Sequence, residues 1–260
     1  MPFGQIVLGP AGSGKTTYCC GMHDFLSQIG RPCTVINLDP ANSGTLPYPC
    51  GLNIRELVDS TSVSSGEHLG PNGALMWSLE HVAENLSWLV DVLSRPQFAG
   101  TYFLIDCPGQ IELYTHNDSI QRIVSCFDRK LHIRLVCVNL IDSVQCVSFD
   151  NFIAVVLVSL STMIHFELPH INVLSKADLL PSYGELPFSP DVFSECCYLA
   201  SFLQRARLHQ GGEKHARFQH AIADLIDSYG LVAFRFLDIQ SKEMVSALLS
   251  ECDKANGYSI

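Results

Sequence analysis

The sequence predicts a doubly wound α/β fold: a mostly parallel sheet flanked by helices, in one domain over 1–260 with a helical insertion at 181–229. Three observations predict it. The first is Gly9-Pro10-Ala11-Gly12-Ser13-Gly14-Lys15-Thr16-Thr17, the G-x-x-x-x-G-K-[ST] spacing of a phosphate-binding loop, set between an apolar strand and a helix. The second is an alternation of short β-branched runs with helical stretches, the pattern that builds parallel sheets. The third is that these runs end in Asp39, Asp106, Asp142 and Ser175. Polar residues at the carboxyl ends of parallel strands lie on the ligand side of such a sheet.

Composition narrows the class. With 260 residues, 47% hydrophobic and 16% charged, the chain suits one compact domain with a large core. The formal net charge of -10 speaks against direct binding to nucleic acid or to a membrane surface. The 11 Cys form no C-x-x-C pair, and the doublets Cys19-Cys20 and Cys196-Cys197 lack nearby His at zinc spacing. They read as reduced, buried thiols of a cytosolic protein. The His residues show no metal or triad pattern either. The first strand starts almost at Met1, so no signal peptide is expected. The longest apolar run, Ile153 to Leu160, is too short to span a bilayer.

In chain order, Gln5 to Leu8 is a short buried strand and Lys15 to about Ile29 a helix. Gly9, Gly12 and Gly14 let the backbone turn and present N–H groups to phosphate oxygens. Ser13, Thr16 and Thr17 line the loop, Lys15 reaches the β- and γ-phosphates, and the Thr16 hydroxyl holds Mg²⁺. Thr34 to Leu38 is a second strand, ending in Asp39-Pro40-Ala41-Asn42. Asp39 is a candidate for Mg²⁺ or water contacts, or else a turn cap. Asn53 to Val58 reads as a short helical stretch. Residues 59–73 are polar and end in Gly70-Pro71-Asn72-Gly73, which taken alone is β-turn chemistry. An amphipathic helix is expected from Glu80 to Leu93.

Thr101 to Asp106 is the clearest strand and runs into Asp106-Cys107-Pro108-Gly109-Gln110. An apolar run, Asp and then Pro-Gly-Gln is the pattern of a γ-phosphate sensor. Asp106 reaches Mg²⁺ through water, the Gly109 N–H bonds the γ-phosphate and Gln110 orients the attacking water, with Glu112 a further carboxylate. Leu131 to Leu140 is the next strand. Asn151 to Phe166 is a helix apolar nearly all round, with one face for the sheet and the other a candidate subunit interface. Ile171 to Leu174 ends in Ser175-Lys176-Ala177-Asp178, similar to the N-K-x-D guanine-selecting loop with Ser for Asn. The Asp178 carboxylate accepts two hydrogen bonds from guanine, which adenine cannot supply, and the Lys176 stem lies over the base. That favours GTP over ATP. Ser175 in place of Asn removes an amide that ties this loop to the phosphate loop, so looser selectivity is expected. The 181–229 insertion is a candidate lid or partner site. Leu231 to Leu237 is a last strand, Asp238-Ile239-Gln240 lies against the base, and Ser241 caps a closing helix stopped by Gly257.

Taken together, these motifs closely resemble the GPN-loop GTPases over essentially the whole chain. The resemblance rests on Gly9 to Thr17, Asn37 to Asn42, Gly70-Pro71-Asn72, Asp106 to Gln110 and Ser175 to Asp178, in the family's order. Glu167-Leu168-Pro169-His170-Ile171-Asn172 and Asp253-Lys254-Ala255-Asn256-Gly257-Tyr258 look most like the second of the three eukaryotic paralogues. The resemblance implies a dimer, homodimeric or with a sister GPN-loop GTPase, in which Asn72 of each subunit reaches the other's phosphate site. It also implies a role in assembly or nuclear import of RNA polymerase complexes. Partners would be polymerase subunits or assembly factors, and the location cytoplasmic with shuttling to the nucleus. Ala11, where relatives often have Pro, and the Asn151 region depart from the pattern. The expected activity is Mg²⁺-dependent hydrolysis of GTP to GDP, with no arginine finger assigned. Rival readings are a nucleotide-stabilised assembly scaffold with negligible turnover and a P-loop small-molecule kinase. Pro10 stands where deviant-loop dimer ATPases place a signature Lys, which argues against those.

Overall fold

The computed structural model describes residues 1–42, 44–58, 70–115, 117–184, 186–196, 199, 203 and 213–258. The strands are β1 (Phe3–Leu8), β2 (Cys33–Asn37), β3 (Cys50–Asn53), β4 (Tyr102–Asp106), β5 (Arg134–Asp142), β6 (His170–Ser175) and β7 (Phe234–Leu237). Their near-continuous apolar runs are those of strands covered on both faces. They form one sheet in the order β3-β2-β4-β1-β5-β6-β7, with every pairing parallel. Register sets the site. Val7 lies opposite Asp106, Leu8 opposite Asn139 and Asp142 opposite Ser175, so all the signature loops leave the same edge.

The helices are α1 (Lys15–Gln28), α2 (Pro71–Glu84), α3 (Leu86–Leu93), α4 (Glu112–Thr115), α5 (Ser119–Arg129), α6 (Phe149–Phe166), α7 (Pro190–Glu195), α8 (Glu213–Tyr229) and α9 (Lys242–Asn256). Side chains alternate across the sheet with the two-residue period of strands. Ile6, Ile36 and Ile105 face α2, α3 and α5, packing with Leu79, Leu89 and Phe127. Val7, Val35 and Leu104 face α1 and α9, packing with Met22, Leu26 and Leu248. A third cluster joins Ile141, Leu174 and Phe234 to Phe152 of α6, Phe193 of α7 and Ile226 of α8. Arg31 fastens the end of α9 through a bidentate pair with Asp253 at 2.9 Å, its guanidinium 4.1 Å from the Tyr102 ring and 3.5 Å from that of Tyr258.

Several expectations need correction. Residues 50–53 form β3 on β2, and only Ile54–Glu56 is helical, as a single 3-10 turn. The helix expected from Glu80 begins at Pro71, with Gly70 as N-cap, because Pro is preorganised for a first helical turn. It also breaks at Asn85, whose side-chain amide donates to the His81 carbonyl at 2.8 Å and ends α2 before α3 starts. Helix α5 was not anticipated. Helix α6 is long and apolar enough, by length and composition, to cross a membrane. Its Phe152, Ile153, Val156 and Phe166 are nevertheless buried in the protein core. The described part of 181–229 is the crossover between β6 and β7 and packs on α6.

Candidate active site

Strand β1 delivers the chain into Gly9 at φ 139°, where an added Cβ would collide with the Leu140 carbonyl oxygen. Only glycine satisfies both demands. The Ser13 N–H closes the loop onto the Pro10 carbonyl at 3.2 Å. Gly14, at φ 91°, caps α1, whose positive end faces the loop. The Lys15 ammonium is buried and donates to the carbonyls of Gly9 at 2.9 Å and Pro10 at 3.0 Å. Burial lowers its pKa, while the Asp106 and Asp39 carboxylates pull the other way. The buried Ser13 hydroxyl has no partner among the described residues.

Asp106, at the end of β4, is 0% exposed. Its Oδ2 accepts from the Tyr48 hydroxyl at 2.7 Å, and its Oδ1 has no hydrogen-bond partner among the described residues. Burial raises its pKa, while the Tyr48 and Thr16 hydroxyls hold it down. Asp39 accepts from the Ala41 N–H at 2.9 Å, the turn-cap geometry; burial also raises its pKa, opposed by that hydrogen bond and by Lys15. Asn37 braces this loop, donating to the Asp39 carbonyl at 3.1 Å and to Asn53 at 3.0 Å. Thr16, Asp39 and Asp106 offer only hard oxygen donors. Among the described residues no three His, Cys, Asp or Glu side chains converge to cage a metal. The set suits Mg²⁺, which is held by one or two carboxylates together with substrate phosphates, and the Asp106 oxygen that Tyr48 leaves unengaged fits that task.

The loop at 107–110 lies directly on the loop at 9–15. A Cβ on Gly109 would sit 2.8 Å from the Ala11 Cα and 3.0 Å from the Lys15 Nζ. The adjoining Gln110 carboxamide has a buried Oε1 without a partner among the described residues. Glu112 and Asn72 are exposed, the first at the start of α4 and the second one residue into α2.

At the other end, a cleft of about 280 Å³ is lined by Ser13, Gly14 and Thr17, by Ser175, Lys176 and Asp178, and by 237–240. No described residue of 181–229 lines it. The expected loss of the loop tie at Ser175 is overturned. Its hydroxyl reaches both the Ser13 carbonyl at 2.7 Å and the Ile141 carbonyl at 3.0 Å. Lys176 takes φ 57° and pairs with Asp142 at 2.6 Å, and the Ser143 hydroxyl holds the Lys176 carbonyl at 3.0 Å. Gly21, inside α1, admits Ile239: an added Cβ would lie 2.6 Å from its Cγ1. Tyr48, Ser143 and Gly21 had no part in the sequence reading. A glycine inside a helical run is the one signal among them that sequence offers.

A family model described as "Conserved hypothetical ATP binding protein" matches residues 7–258. A protein named GPN-loop GTPase 2 from Danio rerio is 46% identical over 258 residues, covering 99% of this chain and 82% of its own. GPN-loop GTPase QQT1 from Arabidopsis thaliana is 45% identical, covering 99% and 86%. GPN-loop GTPase 2 from Saccharomyces cerevisiae is 40% identical over 262 residues, covering 99% and 75%. The crystal structure of a GTPase in apo form from Pyrococcus abyssi shares the fold, with a TM-score of 0.78 at 21% identity over 99% of this chain and 98% of that one.

Proposed function

Because the chain belongs to the GPN-loop GTPase family and is a GTP-binding, GTP-hydrolysing enzyme, we propose that it works as a Mg²⁺-dependent dimer whose sites are completed across the subunit interface. Lys15 and the loop N–H groups neutralise the phosphates. Thr16, Asp39 and Asp106 would hold Mg²⁺, which would supply charge neutralisation to the phosphates. Gln110, with Glu112 beside it, orients water toward the γ-phosphate, and Asn72 reaches the phosphate site of the other subunit. Positioning and charge stabilisation are most of what phosphoryl transfer requires. The observation that carries this reading is a physical link between three loops. Gly109 packs on Ala11 and Lys15, while Ser175 bonds to Ser13, so sensor, phosphate loop and base loop form one unit. Exposure of Asn72 at the start of α2 suits a residue that acts on a neighbour.

The experiment is titration of GTP and ATP with and without Mg²⁺, followed by specific hydrolysis rate against protein concentration. Strong GTP preference with a rate that rises with concentration is expected. ATP preference overturns the role of Asp178. Binding with a slow, concentration-independent rate favours a scaffold, or a missing sister subunit. By likeness to the family, the same reading extends to assembly or nuclear import of RNA polymerase complexes, in the cytoplasm with shuttling to the nucleus. Polymerase subunits or assembly factors are then the partners. Co-purification of polymerase subunits with GTP-loaded but not GDP-loaded protein is the expected result, since the two states need only differ in partner affinity.

A further inference from the structure

Tyr48 stands between Pro47 and Pro49 in the loop joining β2 to β3 and has no task in the reading above. It is 5% exposed, with its ring packed in the cluster of Val7, Tyr18, Cys19 and Leu104. The loop is fastened near both ends: the Cys20 thiol reaches the Pro47 carbonyl at 3.2 Å, and Arg55 donates to the Asn42 carbonyl at 3.1 Å. The ring and its hydroxyl are therefore held in place. That hydroxyl donates at 2.7 Å to Oδ2 of a fully buried Asp106 whose other oxygen is left without a partner. The χ2 torsion of an aspartate is broad, so a hydrogen bond to one oxygen decides where the other points. A phenol at neutral pH is a donor here, and its partner oxygen is committed to it.

We propose that Tyr48 is a positioning residue: its hydroxyl engages Oδ2 and so fixes the Asp106 carboxylate with Oδ1 turned to the Mg²⁺ that accompanies the nucleotide. The inference rests on the Mg²⁺ role assigned above. The bland alternative is a core tyrosine that has found the nearest acceptor. The two differ in what they move. Both roles contribute stability through the hydrogen bond to a buried carboxylate. Only a positioning role shifts the Mg²⁺ dependence of nucleotide retention.

The test uses the full chain and Tyr48→Phe, which keeps the ring and removes the donor. Release of fluorescently labelled GDP is followed from EDTA upward through a Mg²⁺ titration, with thermal melting of the nucleotide-free protein alongside. The midpoint for Mg²⁺-dependent retention should rise about 10- to 100-fold, as when an outer-shell partner of a metal ligand is lost. GDP affinity in EDTA should stay as in the parent, while the melting midpoint falls in either reading because a buried carboxylate oxygen loses its donor. An unmoved Mg²⁺ midpoint overturns the role of Tyr48, as does an equal loss of GDP affinity in EDTA. A parent protein whose GDP release ignores Mg²⁺ overturns the Mg²⁺ reading itself, and this inference with it.

Discussion

Lys15 is the buried charge around which the other groups of the site balance. Its ammonium is held by the Gly9 and Pro10 carbonyls and lies near Asp106 and Asp39, so truncating it leaves both carboxylates without their nearest cation. Lys15→Ala should abolish tight nucleotide binding; calorimetry that still finds parental affinity for GTP refutes its role. Ser175 acts at lower cost. Its hydroxyl joins two loops through the Ser13 and Ile141 carbonyls, so Ser175→Ala removes a tie without unpairing a charge. A hydrogen bond of this kind is worth about 1 kcal/mol, so GTP affinity should fall roughly fivefold with the fold intact. Unchanged affinity in Ser175→Ala means the tie has no bearing on ligand binding.

Element β6 carries a pH response. Burial lowers His170, at its first position, from 6.5 to about 4, against a hydrogen bond to Asn172 that raises it. Between those values the unfolded chain binds this proton more readily than the folded one. Stability from this group is therefore complete above pH 6.5 and declines as pH falls toward 4, by on the order of 3 kcal/mol. Urea unfolding at pH 7 and pH 4.5 should show a smaller loss in His170→Gln than in the parent; equal losses mean His170 does not titrate in this range. The same scale separates what sequence shows from what it hides. The run 101–106 is legible because its residues bury on alternate faces, Leu104 toward α1 and Ile105 toward α2. Strand β3 is hidden because Gly51 looks like a turn residue. Here it is what lets β3 lie against β2, since an added Cβ would collide with the Thr34 hydroxyl. The start of α2 is hidden because Gly70-Pro71-Asn72-Gly73 suits a turn as well as a first helical turn, and the packing of Ala74, Leu75 and Leu79 decides for the helix. Helix α5 was there to be read, in the spacing of Ile120, Ile123, Val124 and Phe127.

For the whole molecule, the sheet order places loops that are far apart in sequence at one edge, and this decides how much of the site sequence can reveal. Each loop declares its own chemistry locally, so Lys15, Asp106, Gln110 and Asp178 are proposed from short patterns. The ties between loops are not local. Ser175 to Ser13 spans 162 positions and Tyr48 to Asp106 spans 58, and no short pattern reports either. A contact with another subunit is further still from local chemistry, which makes Asn72 the residue to test in assembled protein. Asn72→Ala should bind GTP and fail to hydrolyse it, because the loss falls on the neighbour's site. Lys15→Ala should fail for the opposite reason, keeping Asn72 but binding no nucleotide. In a two-fold dimer the defects lie on complementary surfaces. Mixing the two inactive variants and letting subunits exchange then creates heterodimers with one complete site, in which GTP bound by the Asn72→Ala subunit meets the Asn72 of the Lys15→Ala subunit. With equal mixing about half the dimers are of this kind, each with one working site of two, so hydrolysis should recover to roughly a quarter of the parental rate. A mixture that exchanges subunits, as followed by energy transfer between labelled chains, yet stays inactive rules out completion of the site in trans.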